Sequence, residues 1–153
     1  MKKFLVFAAA LFVLFNFISV SANAGESKKV KVVYHFNSDD QKIHKAGLVN
    51  IQNHIDAVGK ENVEIIAVLH GPGLTMLQKG KTEDDNFLRV ANLKKQGVKL
   101  GVCNVTITRQ KLNKDELFTG IVDKDKLKDS EIVPSGVAEL AKLQSEGYAY
   151  IKP

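Results

Sequence analysis

The sequence predicts an α/β protein: a mainly parallel, five-stranded sheet with helices on both sides. Three observations carry this. Short β-branched or apolar runs alternate with helix-period segments along the chain. Gly59, Gly97 and Gly147 stand where the helical patterns stop, as helix C-terminal glycines do. The run Val63 to His70 is almost unbroken in its apolar character, which suits a parallel strand covered on both faces.

The elements follow in order. Val30-Lys31-Val32-Val33-Tyr34-His35-Phe36 is β-branched and aromatic and reads as the first strand. Ser38 with Gln41 three residues on reads as a capping box. The helix behind it places Leu48, Ile51, Ile55 and Val58 three and four apart. His70-Gly71-Pro72-Gly73-Leu74 reads as a tight turn into a short helix from Leu74 to Gln78. Thr82 to Asp85 is acidic and starts a helix carrying Phe87, Leu88, Val90, Ala91 and Leu93. Val98 to Val102 is the third strand, closed by Cys103, and Asn104 to Leu112 the next helix. Glu131-Ile132-Val133 is a short fourth strand, Val137 to Ser145 a helix, and Tyr148 to Ile151 the last strand.

The start of the chain reads as an address. Met1-Lys2-Lys3 is basic, Phe4 to Val20 is apolar but for Asn16 and Ser19, and Ala22-Asn23-Ala24 has the small-x-small form of a signal-peptidase site. The expected organisation is a secretory signal over residues 1–24 and a single α/β domain over 25–153, exported to the periplasm. An uncleaved anchor is the rival reading, and the Ala-x-Ala site argues against it. Loss of Lys2 and Lys3 takes the formal charge from +5 to +3. The one basic cluster, Lys28-Lys29-x-Lys31, flanks a strand and reads as a solvated edge. Neither nucleic acid nor, after signal cleavage, a membrane is an expected partner.

Cys103 is the only cysteine, so no internal disulfide forms. It stands at a strand-to-helix seam, where backbone N–H groups favour a thiolate. The first three strands end at His35, His70 and Cys103, and parallel strands would bring these to one edge of the sheet, the usual ligand crevice. Two imidazoles there could lower the thiol pKa, accept its proton or bind a metal with it. The plainer alternatives are a core thiol, a packing role for His35 and a turn-bracing role for His70. His44 and His54 lack the spacing of a helical zinc pair, and His44 is expected at the surface. Gly71 and Gly73 read as turn geometry rather than a phosphate cradle: both nucleotide fingerprints are missing. No cofactor or resident metal is expected, and no Ser-centred elbow or carboxylate pair suggests a hydrolase.

Five ordered segments carry a resemblance: Val32 to Asn37, Gly47 to His54, His70-Gly71-Pro72-Gly73-Leu74, Gly97 to Thr106 and Ile132 to Val137, with the tail Leu143 to Pro153. Together they resemble the DsrE/DsrF-like family, in particular its exported, single-domain branch. The resemblance implies a flavodoxin-like three-layer sandwich that assembles into homo-oligomers, trimers or hexamers. It also implies persulfide chemistry on one cysteine, matched by Cys103, with a thiol or sulfane-sulfur donor and acceptor as partners. The expectation is a sulfur carrier rather than a multiple-turnover enzyme. Cys103 would carry the sulfur, His35, His70 and Gly71 would line the site, and Asn104 and Thr106 would hold the terminal sulfur. The alternatives are a metal or small-ligand module on His35, His70 and Cys103, or an oligomer whose pocket does no chemistry.

Overall fold

The computed structural model describes residues 29–120 and 125–153. The expected signal segment lies outside the described residues. Five strands form one sheet: β1 (Val30–Phe36), β2 (Val63–Leu69), β3 (Lys99–Cys103), β4 (Ile132–Val133) and β5 (Ala149–Ile151). Every pairing is parallel and the order is β4-β3-β2-β1-β5. The helices are α1 (Gln41–Val58), α2 (Asp84–Lys95), α3 (Asn104–Arg109) and α4 (Gly136–Ser145). The result is the expected α/β sandwich.

Strand order explains the layers. The chain steps in one direction from β1 to β2 to β3, so right-handed crossovers put α1 and α2 on one face. It then returns from β4 at one edge to β5 at the other, and the same handedness puts α4 on the opposite face. The first face holds the main core, with Val32, Tyr34 and Phe36 of β1, Ile65, Ala67 and Leu69 of β2, and Leu48, Ile51, Val90 and Leu93 from the helices. The second core is small: Val33 and Val68 beneath Leu140 and Leu143 of α4, with Tyr148. His35 stands two residues after Val33, so it belongs to this thinner side, as does Cys103 in register beside Val133 of β4.

Several local expectations are corrected. The N-cap of α1 is Asp40, which accepts from the Lys42 N–H, while Ser38 Oγ accepts from the Asp40 N–H one step earlier. The capping box read at Ser38 and Gln41 is therefore replaced by two consecutive Asx/ST-type turns. Gln41 instead bridges to Thr82, Asn86 and the Lys81 carbonyl, tying α1 to the start of α2. The turn after β2 winds as a 3-10 helix over Gly71–Leu77, because Pro72 sets its first turn. Gly73 needs its bare Cα, since a Cβ there would strike the Phe36 carbonyl. Helix α3 stops at Arg109, and Lys111 turns left-handed at φ 53° just after it. His44, expected at the surface, is fully buried: its Nε2 donates to the Ser38 carbonyl at 2.6 Å, and burial lowers its pKa.

Candidate functional site

The three strand ends meet on one side of the sheet, but they form two clusters rather than one. Cys103 is the last residue of β3, and His70 follows β2 one step beyond the Leu69–Val102 pair. They are neighbours on the same face. Gly136, the first residue of α4, sits between them. A Cβ on Gly136 would lie 2.8 Å from His70 Cβ and 3.2 Å from Cys103 Cβ. Only a glycine lets the start of α4 come this close.

The first cluster surrounds the thiol. Cys103 is 4% exposed, yet it belongs to neither apolar core cluster. Burial pushes its pKa up. That is outweighed by the Thr106 hydroxyl and the N–H groups of Gly136, Thr106 and Val105, so the thiol lies below its ordinary value. The sulfur closes no N-cap hydrogen bond on α3, so the neighbouring hydroxyl and N–H groups favour the thiolate electrostatically. Thr106 is fixed from behind, since its Oγ1 accepts from the Gly71 N–H at 2.8 Å. That leaves the hydroxyl hydrogen free to point at sulfur. Gly71 holds a left-handed conformation, φ 54°, which suits glycine. Thr106 and Gly71 are thus joined to each other beside the end of β3. Asn104 is exposed at the first position of α3 and makes no hydrogen bond to the other site residues.

The second cluster is the imidazole pair. His70 reaches toward β1, where its Nε2 meets His35 Nε2 at 2.6 Å. The ring planes are 21° apart and the centres 4.7 Å apart. The nitrogens are closer than the centres by nearly two ring radii, so the rings meet edge to edge, with both Nε2 atoms close to the line joining the centres. His35 Nδ1 in turn meets the Tyr150 hydroxyl of β5 at 2.5 Å. His35 is buried, and burial first, then His70 and Lys152, lowers its pKa to about 4. Burial and Lys152 lower that of His70. Both shifts favour the neutral rings.

This geometry does not support the reading in which the two histidines hold a metal with the thiol. The donors that lower the thiol pKa are the Thr106 hydroxyl and backbone N–H groups. A metal on the line between the two Nε2 atoms would need them about 4 Å apart. At 2.6 Å they fit a shared proton. Among the described residues no group of three or more His, Cys, Asp or Glu side chains is arranged to hold a metal ion.

Sequence reasoning missed Tyr150, Lys152 and Gly136. Tyr150 and Lys152 come to the site only because β5 lies beside β1, with Val33 opposite Tyr150. His54 goes elsewhere: its Nδ1 meets the Tyr34 hydroxyl at 3.1 Å, on the α1 side of the sheet.

A parallel α/β domain with a lone buried thiol at its strand ends defines the class, and similarity to known proteins gives the family. Residues 31–153 match the model of the DsrE/DsrF-like family, and the chain belongs to it. The family points to a sulfur-relay type of function. Among solved structures the chain is similar to a protein of unknown function from Methanobacterium thermoautotrophicum, with 27% identity and a TM-score of 0.68. The alignment covers 82% of this chain and all of that one. No curated protein matches.

Proposed function

We propose that Cys103 accepts one sulfane sulfur as a persulfide and passes it to another thiol. The observation that carries this is the setting of the thiol at the strand ends, with Gly136 packed against it and the Gly71–Thr106 hydrogen bond close by, a setting whose hydroxyl and N–H groups favour the thiolate. A core cysteine needs no such setting, whereas a thiolate nucleophile does. In the loading step the Cys103 thiolate attacks the outer sulfur of a donor persulfide, R–S–SH. One S–S bond forms, the donor's S–S bond breaks, and R–S⁻ leaves with the electron pair. The protein then holds Cys–S–SH, and a second thiolate removes the outer sulfur in the same way. No external oxidant or reductant is needed, so the protein acts as a carrier. With Cys103 only 4% exposed, the step favours small donors or a partner that opens the rim.

The proposal extends to place and assembly. The basic start, apolar run and Ala22-Asn23-Ala24 support cleavage after residue 24, a 25–153 domain and a periplasmic address. Family membership supports a homo-oligomer, a trimer or hexamer.

Intact-mass analysis after incubation with inorganic polysulfide tests the chemistry. The expected result is one adduct of about 32 Da on the wild-type chain, absent from Cys103→Ser and removed by excess small thiol. No adduct, or one that survives Cys103→Ser, refutes it.

A further inference from the structure

We propose that Tyr150, His35 and His70 form a proton relay that carries the Cys103 proton from the thiol rim to solvent. The inference rests on reading Cys103 as a sulfur acceptor, because a thiol that becomes a thiolate must release a proton, and a buried one needs a route for it.

The bonding supports a relay. The two facing Nε2 atoms lie 2.6 Å apart and almost on the line of ring centres, so only one of them carries a hydrogen. Neutral imidazole has one protonated nitrogen. His35 and His70 must therefore hold opposite tautomers. If the Tyr150 hydroxyl donates to His35 Nδ1, then His35 Nε2 donates to His70 Nε2, and His70 Nδ1 carries hydrogen. If His35 Nδ1 donates to Tyr150, every hydrogen in the chain is reversed and His70 Nδ1 is bare. These two arrangements differ by one proton moved along the whole chain.

The setting is also that of a conduit. Its inner end is the His70 ring, whose Cβ abuts Gly136 beside Cys103. Its outer end is Tyr150, 42% exposed on the edge strand. The chain runs across β2, β1 and β5. Between β1 and β5 the sheet switches from crossovers on the α1 face to a crossover on the α4 face. Such switch points open a crevice at the carboxyl ends of the strands. The groups beside the rings are Tyr150 of β5, bonded to His35, and Gly136 of α4, packed against His70, with Lys152 just past the end of β5 acting on both rings. Among the described residues the Lys152 ammonium is the formal charge that acts on both rings. It disfavours a second proton on either ring, so a proton entering at one end leaves at the other.

The step balances. The Cys103 S–H bond breaks and its proton passes, through one water or the bound donor, to bare His70 Nδ1. The hydrogen on His70 Nε2 moves to His35 Nε2, that on His35 Nδ1 moves to the Tyr150 oxygen, and the hydroxyl hydrogen goes to bulk water. The chain ends neutral in the opposite tautomers, and the thiolate is formed. The reverse passage resets it when Cys103 is protonated after unloading.

Nitrogen-15 NMR of the histidine rings and the rate of sulfur uptake test this on the full mature chain, with Tyr150→Phe and His35→Gln as the variants and inorganic polysulfide as the probe. In the wild type at neutral pH, one ring should show protonated Nδ1 and the other protonated Nε2. Tyr150→Phe should change the His70 signals as well as those of His35, although residue 150 does not touch His70. It should slow uptake about tenfold or more at low buffer concentration. Added imidazole buffer should restore the rate, which a purely structural defect would not allow. Rings in the same tautomer, or a Tyr150→Phe chain that takes up sulfur at the wild-type rate, would overturn the relay. Absence of any adduct on the wild type would instead overturn the sulfur-acceptor reading, and the tautomers would still decide whether the chain is built as described.

Discussion

Lowering the pH should destabilise this fold through His35, and the size of the effect follows from the structure. In an unfolded chain a histidine takes its proton near pH 6.5. In the folded protein, burial, His70 and Lys152 hold His35 down to about 4. Between those values the unfolded state binds the extra proton, so stability is present above about pH 6.5 and is lost as the pH falls toward 4. At 1.36 kcal/mol per pH unit, going from pH 7.5 to 4.5 should cost about 2.5 kcal/mol from this ring. That is a sizeable part of the 5–15 kcal/mol typical of a domain. Urea unfolding at both pH values, in the wild type and in His35→Gln, measures it. The wild-type midpoint should fall by roughly 1–2 M more than the variant's. Glu64, held below the usual carboxylate range first by its hydrogen bond from Lys99, is common to both chains and cancels. So does Asp85, lowered first by Arg89. If the two midpoints fall in parallel, His35 does not resist protonation in the fold and the argument fails.

Two further outcomes follow from the wall between the clusters. Gly136→Ala places a Cβ 2.8 Å from His70 Cβ and should cost about 1–3 kcal/mol in urea unfolding, with altered His70 ring signals; an unchanged midpoint would show that α4 shifts freely. Thr106→Val removes the hydroxyl that Gly71 N–H holds in place, so the Cys103 pKa should rise and its alkylation at neutral pH should slow; Thr106→Ser should restore both, and an unchanged pH profile of alkylation would remove Thr106 from the thiol's support.

His44 shows how a legible signal was misread. It stands four residues before Leu48 and seven before Ile51, on the same helical stripe, and is buried with them. Its polar ring suggested the surface, but a single bond to the Ser38 carbonyl lets it join the core. The sheet edge was legible for another reason: His35, His70 and Cys103 each stand within one residue of a strand end that the local pattern marks. Which way each ring turns was not legible. The His35–Tyr150 contact joins residues 115 apart in sequence. It depends on the return from β4 to β5, and nothing near either residue encodes that return.

The sequence by itself determined the alternation of strands and helices, the parallel sheet and the placing of a lone thiol at a strand end, because these rest on periodicity and punctuation within a few residues. Tertiary structure decided the partners of each group. It turned the two imidazoles toward each other and gave the thiol a hydroxyl and backbone amides instead. The physical reason is that strand order and the α4 crossover set which side chains share a face at bonding distance, and both are set by contacts far apart in the chain.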